Sequence, residues 1–316
     1  MTKGIALLLC LLLLGTLLSA CAPEPTPEAP RTPIRIVANS WLASELNATV
    51  AKIMLEEELG YPVEIVYLDE EDQWEALANG DAHVNLEVWQ TGRSEDVAYY
   101  IEAQGLVEQG GNLGPVGKIG WFIPAYMRAE HPELSTWEGF ADPELARLFA
   151  TEETGDRGQF LAGDPSWVQF EEQIIENLEL PLQVVCANSE VAILEALATA
   201  YANQDPLLFY FWSPHWAFAQ YDLIEVRLPP YSPECYARQA TGGVDCDYPA
   251  EQLFKIFWPG LREYAPEAYE FLQNFYYTNS DQIEMLAPVE IDGLTVEEAA
   301  RAWIQNHPGL AQAWLP

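Results

Sequence analysis

Tryptophan is the residue type through which this chain could do chemistry. The sequence carries 11 of them. Five stand where a strand should give way to a loop: Trp41 after Ser40, Trp89 after Val88, Trp121 after Ile119-Gly120, Trp167 in Pro165-Ser166-Trp167, and Trp212 in Phe211-Trp212-Ser213-Pro214. A lone indole is usually core packing. Several indoles at strand ends can instead converge into a pocket walled by ring faces. Each face attracts positive charge and the large rings exclude water, so such a pocket suits an organic cation.

Signatures of other chemistry are scarce. There is no Gly-x-Ser-x-Gly elbow. Gly117-Lys118 imitates the end of a phosphate loop, but Asn112 stands at the first Gly position and Ile119 at the Ser/Thr position. The four histidines, at 83, 131, 215 and 307, lack metal-ligand spacing, and no Cys-x-x-Cys occurs. No enzyme activity, cofactor or metal is expected. The competing reading is a lipid-anchored glycan-binding protein or glycoside hydrolase, with indoles as sugar platforms and two facing carboxylates.

The formal net charge of −35, from 49 acids against 14 bases, excludes a phosphate-binding surface and with it a nucleic-acid partner. An acidic surface can steer a cationic solute, and it also serves solubility in a salty medium. Residues 1–20 read as a signal peptide: Lys3, an apolar run from Ile5 to Leu18, then Leu18-Ser19-Ala20-Cys21, which has the form of a lipobox. Cys21 is then the lipidated residue, and 21–33, rich in Pro and Glu, an extended tether. The body is expected outside the cytoplasm, held at the membrane only by that lipid. In that compartment Cys235 and Cys246 are expected to form a disulfide, leaving Cys186 as a buried free thiol.

The body alternates strand-like and helix-like runs. Strands are expected at Ile34–Ala38, Val63–Leu68, Val84–Val88, Lys118–Ile123, Leu182–Val185, Leu207–Phe211 and Leu223–Leu228. Helices are expected at Ala43–Leu59, Asp72–Asn79, Ser94–Gln104, Pro143–Phe149, Val168–Leu178, Glu190–Ala202, Ala250–Tyr264, Pro266–Tyr276, Gln282–Leu286 and Val296–Gln305. This order implies an α/β protein with parallel sheets covered by helices. The Gly-rich stretch 110–117 reads as the approach to a crossing between two lobes. Lobe I takes 34–117 and 229–316, and lobe II takes 118–228. Ligands in open α/β sheets sit beyond the carboxyl ends of strands, where the indoles are expected.

Four segments give the chain a resemblance to a known family. They are Leu77-Ala-Asn-Gly-Asp81 with Val84-Asn-Leu-Glu-Val-Trp89, Gly163-Asp-Pro-Ser-Trp167, Leu208-Phe-Tyr-Phe-Trp-Ser-Pro-His-Trp216, and Cys246-Asp-Tyr-Pro249. They resemble stretches of the substrate-binding proteins of ABC importers for glycine betaine, choline and related quaternary ammonium solutes. The resemblance implies a two-lobed, type II-like periplasmic-binding-protein fold with a ligand cleft between the lobes, and an ABC permease as partner. It implies Trp89, Trp167 and Trp212 as cage walls, with Trp41 and Trp121 at positions aromatic in the choline branch. A betaine carboxylate would take donors from backbone near Gly163–Trp167 or from His215. The choline branch also has an Asp two residues after its first cage Trp. Here that place is Ala43, which tilts the expectation towards glycine betaine over choline or proline betaine.

Overall fold

A computed structural model describes residues 31–167 and 170–316. The signal peptide, nearly all of the tether and Cys21 lie outside the described residues. Among the described residues no helix is long and apolar enough to cross a membrane.

Nine strands share one mixed sheet: β1 (Ile34–Ala38), β2 (Val63–Tyr67), β3 (Val84–Val88), β4 (Glu108–Pro124), β5 (Gly158–Ala162), β6 (Leu182–Cys186), β7 (Phe209–Ser213), β8 (Leu223–Glu225) and β9 (Ala250–Phe257). Their order is β2-β1-β3-β9-β4-β7-β5-β6, with β8 added on β4. β1, β2 and β3 are parallel, as are β5, β6 and β7. Each parallel set is the product of βα alternation. The antiparallel strands β4 and β9 join the two sets. The fold is therefore α/β and two-lobed, with the sheet continuous where two parallel sheets were expected.

The stretch 110–117 lies within the 17-residue strand β4, which runs from one parallel set to the other. Its first half pairs with β9 and its second half with β7 and β8, and the partner changes at Val116–Lys118. The expected helix over Ala250–Tyr264 is instead strand β9 followed by a short helix, Leu261–Tyr264. The run Ala-Glu-Gln-Leu-Phe-Lys-Ile-Phe fits both periods, and pairing on both edges decides for the strand. Lys255 in its middle is buried because its ammonium donates to the carbonyls of Leu272, Gln273 and Phe275 at 3.0, 2.7 and 2.7 Å. It thereby satisfies the open C-terminal end of the helix Pro266–Asn274. Burial pushes its pKa down to about 7.

Helices flank the sheet. Leu42–Glu57 is buried along most of its length behind β1. It packs against the helix Val296–Asn306, whose Thr295 and Glu298 form a capping box. The expected helix at Ser94 tightens to one turn before widening into a π-type turn over Val97–Ala103. The helix expected from Val168 begins at Glu171 among the described residues. Cys235 and Cys246 are joined by a disulfide. Cys186 is exposed, a correction to the expected buried thiol: it ends β6, the outermost strand of its half of the sheet.

Candidate functional site

Four of the five indoles meet in one cavity. Trp41, Trp89, Trp167 and Trp212 line it together with Glu70, Thr91, Ile119 and Tyr210. The cavity holds about 410 Å³ of atom-free space, counting its mouth. Trp41 stands between β1 and the helix Leu42–Glu57, Trp89 directly after β3, Trp167 in the turn after β5, and Trp212 within β7. The carboxyl ends of the two parallel sets thus face each other across it.

The rings meet as adjacent walls of a box. Trp41 and Trp167 have centroids 6.3 Å apart with planes at 84°, and Trp167 and Trp212 are 5.3 Å apart at 85°. Tyr210 adds a tilted ring 6.0 Å from Trp167 and 5.9 Å from Trp212. Edge-to-face contact is favourable in itself, because the positive edge of one ring meets the negative face of the next. It also leaves ring faces turned to the cavity. The Trp89 ring abuts the backbone of β4 at Gly117. A Cβ there would sit 2.3 Å from Trp89 Cη2, so only glycine admits the indole.

Two sequence-expected residues stand outside the lining. Trp121 is fully buried against Phe160, with centroids 4.6 Å apart. Ile119 opposes Trp212 and Trp121 opposes Tyr210, all on one face of the sheet, but the Trp121 ring is covered by Phe160 while Ile119, Tyr210 and Trp212 reach the cavity. His215 is also buried. Its Nδ1 accepts from the Ala217 backbone N–H at 3.1 Å, which makes Nε2 the donor to Glu190 Oε1 at 2.9 Å. Both ring nitrogens are engaged, and the ring backs Trp212 at 5.3 Å. It supports a wall and does not face the cavity.

The backbone donors expected near Gly163–Trp167 are partly engaged as well. The Ser166 N–H donates to Asp164 Oδ1 at 2.8 Å, and the Trp167 N–H to the Asp164 carbonyl at 3.0 Å.

Sequence reasoning missed the acids around the box. Glu70 is in the lining, with Arg93 Nη2 at 4.0 Å. Glu251 holds Thr91, accepting its N–H at 2.6 Å and its hydroxyl. Glu87 is buried behind the indoles, accepting from Trp41 Nε1 at 2.8 Å, Trp89 Nε1 at 3.0 Å and Asn47 Nδ2 at 2.6 Å. Burial pushes the Glu87 pKa up to about 7, against the pull of those donors. In a chain with 49 acids, residue type alone could not mark these three. The usable signal lay in Val84-Asn-Leu-Glu-Val88, where two polar residues two apart share one face of an otherwise apolar strand.

Three hydrogen bonds cross from one parallel set to the other beside the box. Trp167 Nε1 donates to Ser40 Oγ at 2.9 Å, the Leu42 N–H donates to Glu190 Oε2 at 2.8 Å, and Arg93 Nη2 donates to the Ser166 carbonyl at 3.3 Å. The cleft is thereby held closed over the cavity.

With this geometry in hand, comparison with known proteins is informative. Residues 32–306 match the family described as the substrate binding domain of ABC-type glycine betaine transport systems. The chain belongs to that family. A trimethylamine N-oxide-binding protein of Pelagibacter ubique is 24% identical over 294 residues, 90% of each chain. The glycine betaine/carnitine transport binding protein GbuC of Listeria monocytogenes is 32% identical over 127 residues, 40% of this chain and 37% of that one. Among solved structures, lactococcal OpuAC closed on glycine betaine superposes with a TM-score of 0.70 at 21% identity, covering 90% of this chain and 100% of that one. A choline-binding protein in complex with choline superposes at 0.71 and 21%, covering 89% and 90%. At that identity the superpositions speak for the two-lobed fold. The family fixes the rest at its own level: an extracytoplasmic substrate-binding protein of a glycine betaine/choline-type ABC transporter, and not an enzyme.

Proposed function

We propose that this protein captures a small trimethylammonium compound in the box of Trp41, Trp89, Trp167 and Trp212 and delivers it to an ABC permease. The carrying observation is that four indoles from four separate stretches line one cavity. A trimethylammonium head has no N–H to donate, so ring faces are its fitting host, each contributing about 0.5–2 kcal/mol. Closure of the two lobes, 34–117 with 229–316 against 118–228, then shifts with occupancy, because only the closed form completes the box. Cys21 carries the lipid that keeps the protein beside its permease.

The tail of the ligand is a separate question. Glycine betaine needs donors for its carboxylate, while choline needs an acceptor for its hydroxyl. Glu70 in the lining, with Arg93 Nη2 at 4.0 Å, offers carboxylate oxygen as an acceptor. It stands in for the acid missing at Ala43, and it comes from a different segment. His215 is engaged elsewhere. Within the class, this favours a cationic, hydroxyl-bearing ligand such as choline over glycine betaine.

A panel read by tryptophan fluorescence tests both levels. Choline, glycine betaine, proline betaine, trimethylamine N-oxide and a neutral disaccharide are titrated separately. Saturable binding of methylated ammonium compounds is expected, with choline tightest and no response to the sugar. A sugar response with none from any ammonium compound refutes the proposal, and betaine binding tighter than choline refutes the role given to Glu70.

A further inference from the structure

Glu87 lines no part of the cavity, yet it touches two of its four indole walls. Its side chain is buried at the end of β3, and a single oxygen, Oε1, accepts from both Trp41 and Trp89. Oε2 accepts from Asn47, whose own carbonyl oxygen accepts from the Tyr277 hydroxyl. Among the described residues three donors and no acceptor face the carboxylate, an arrangement complementary to its ionised form. Trp41 and Trp89 come from different parts of the chain, and among the described residues their N–H groups have no other partner. One carboxylate therefore fixes the rotation of both rings about the box. An anion on the N–H edge also polarises each indole and strengthens the attraction of its face for a cation.

We infer that Glu87 is the positioning residue of the cage and its built-in counter-charge, making the box prefer a charged ligand to a neutral one of the same shape. This rests on the ammonium-binding reading above, and it adds a residue that contacts rings and not ligand. A shape role alone would make Glu87 equally important for any occupant. A charge role makes its effect specific to cations, because Coulomb energy in a water-excluded site is large and neutral ligands do not feel it.

The test compares choline with its uncharged carbon isostere, in which a tert-butyl group replaces the trimethylammonium. Affinities for both are measured calorimetrically at a pH of about 8.5, where a carboxyl raised to about 7 is ionised, in the wild type, in Glu87→Gln and in Glu87→Asp, with melting temperatures alongside. Glu87→Gln keeps a carbonyl for the two indoles while removing the charge, and Asn47 can turn its amide to match. The wild type is expected to prefer choline by about tenfold or more. Glu87→Gln is expected to lose about tenfold for choline and to change by less than about threefold for the isostere. Glu87→Asp keeps the charge but draws back from the rings, so both affinities fall and the preference for choline stays. Equal losses for both ligands in Glu87→Gln, or no loss for either, overturn the inference while leaving the ammonium-binding reading intact. Should Glu87→Gln fail to fold, a preference that collapses in Glu87→Asp overturns it equally. A wild type that binds neither choline nor any other methylated ammonium compound removes both readings together.

Discussion

Replacing Trp167 with alanine should weaken binding of a trimethylammonium ligand by about ten- to a hundredfold, the equivalent of one or two well-placed ring faces in a dry site. Trp167 is the best single choice among the four walls. It sits in a turn after β5, so its loss breaks no strand pairing. It contacts Trp41, Trp212 and Tyr210, and its N–H reaches Ser40 across the cleft. The loss thus removes a wall and loosens the closure. The contrast is Trp303, buried and stacked on Trp314 with centroids 5.8 Å apart, far from the cavity lining. Trp303→Ala should cost about 3–5 kcal/mol of stability and leave the affinity of the folded protein unchanged. Calorimetric titration and thermal melting of both variants separate the cases. If Trp167→Ala loses stability and affinity in step, as Trp303→Ala would, Trp167 is a core residue.

The second large effect is expected at Glu190. Its carboxylate joins the two halves of the molecule, accepting from the Leu42 N–H at 2.8 Å and from His215 Nε2 at 2.9 Å. Leu42 opens the helix Leu42–Glu57, where the first-turn N–H groups have no helical partner and the helix dipole favours an anion. Glu190 itself is in the first turn of Glu190–Asn203, capped by Ser189. In this closed form the Leu42–Glu190 bond spans the cleft. A buried hydrogen bond to a charged group contributes about 1.5–3 kcal/mol. Glu190→Ala should therefore raise the dissociation rate of bound ligand by about ten- to a hundredfold through easier opening. Association should change little. Stopped-flow tryptophan fluorescence measures both rates, and an unchanged dissociation rate rules out the latch.

The residues of the proposed site differed in how visible they were. Trp41, Trp89, Trp167 and Trp212 stood out because indole is rare and strand ends are recognisable from flanking Gly, Pro and Ser. Trp121 had the same local signature, yet lies beneath the site. The difference lies in what covers the ring: Phe160, from a strand distant in sequence, packs on Trp121, a contact that local sequence does not reveal. His215 looked like a donor by type. Its partner Glu190, distant in sequence, takes the proton that a ligand would need. β9 was misread because its eight residues satisfy both helical and strand periods. Only its place between β3 and β4, in a sheet continuous through both lobes, distinguishes them. The acids Glu70, Glu87 and Glu251 were hidden by abundance, in a chain where acids cover the surface.

A crystal structure of the protein with a bound trimethylammonium compound tests the central claim most directly. The quaternary nitrogen is expected within about 6 Å of at least three of the ring centroids of Trp41, Trp89, Trp167 and Trp212, with its tail towards Glu70. A ligand held elsewhere, or one whose methylated nitrogen points to solvent while its polar end fills the box, contradicts the account.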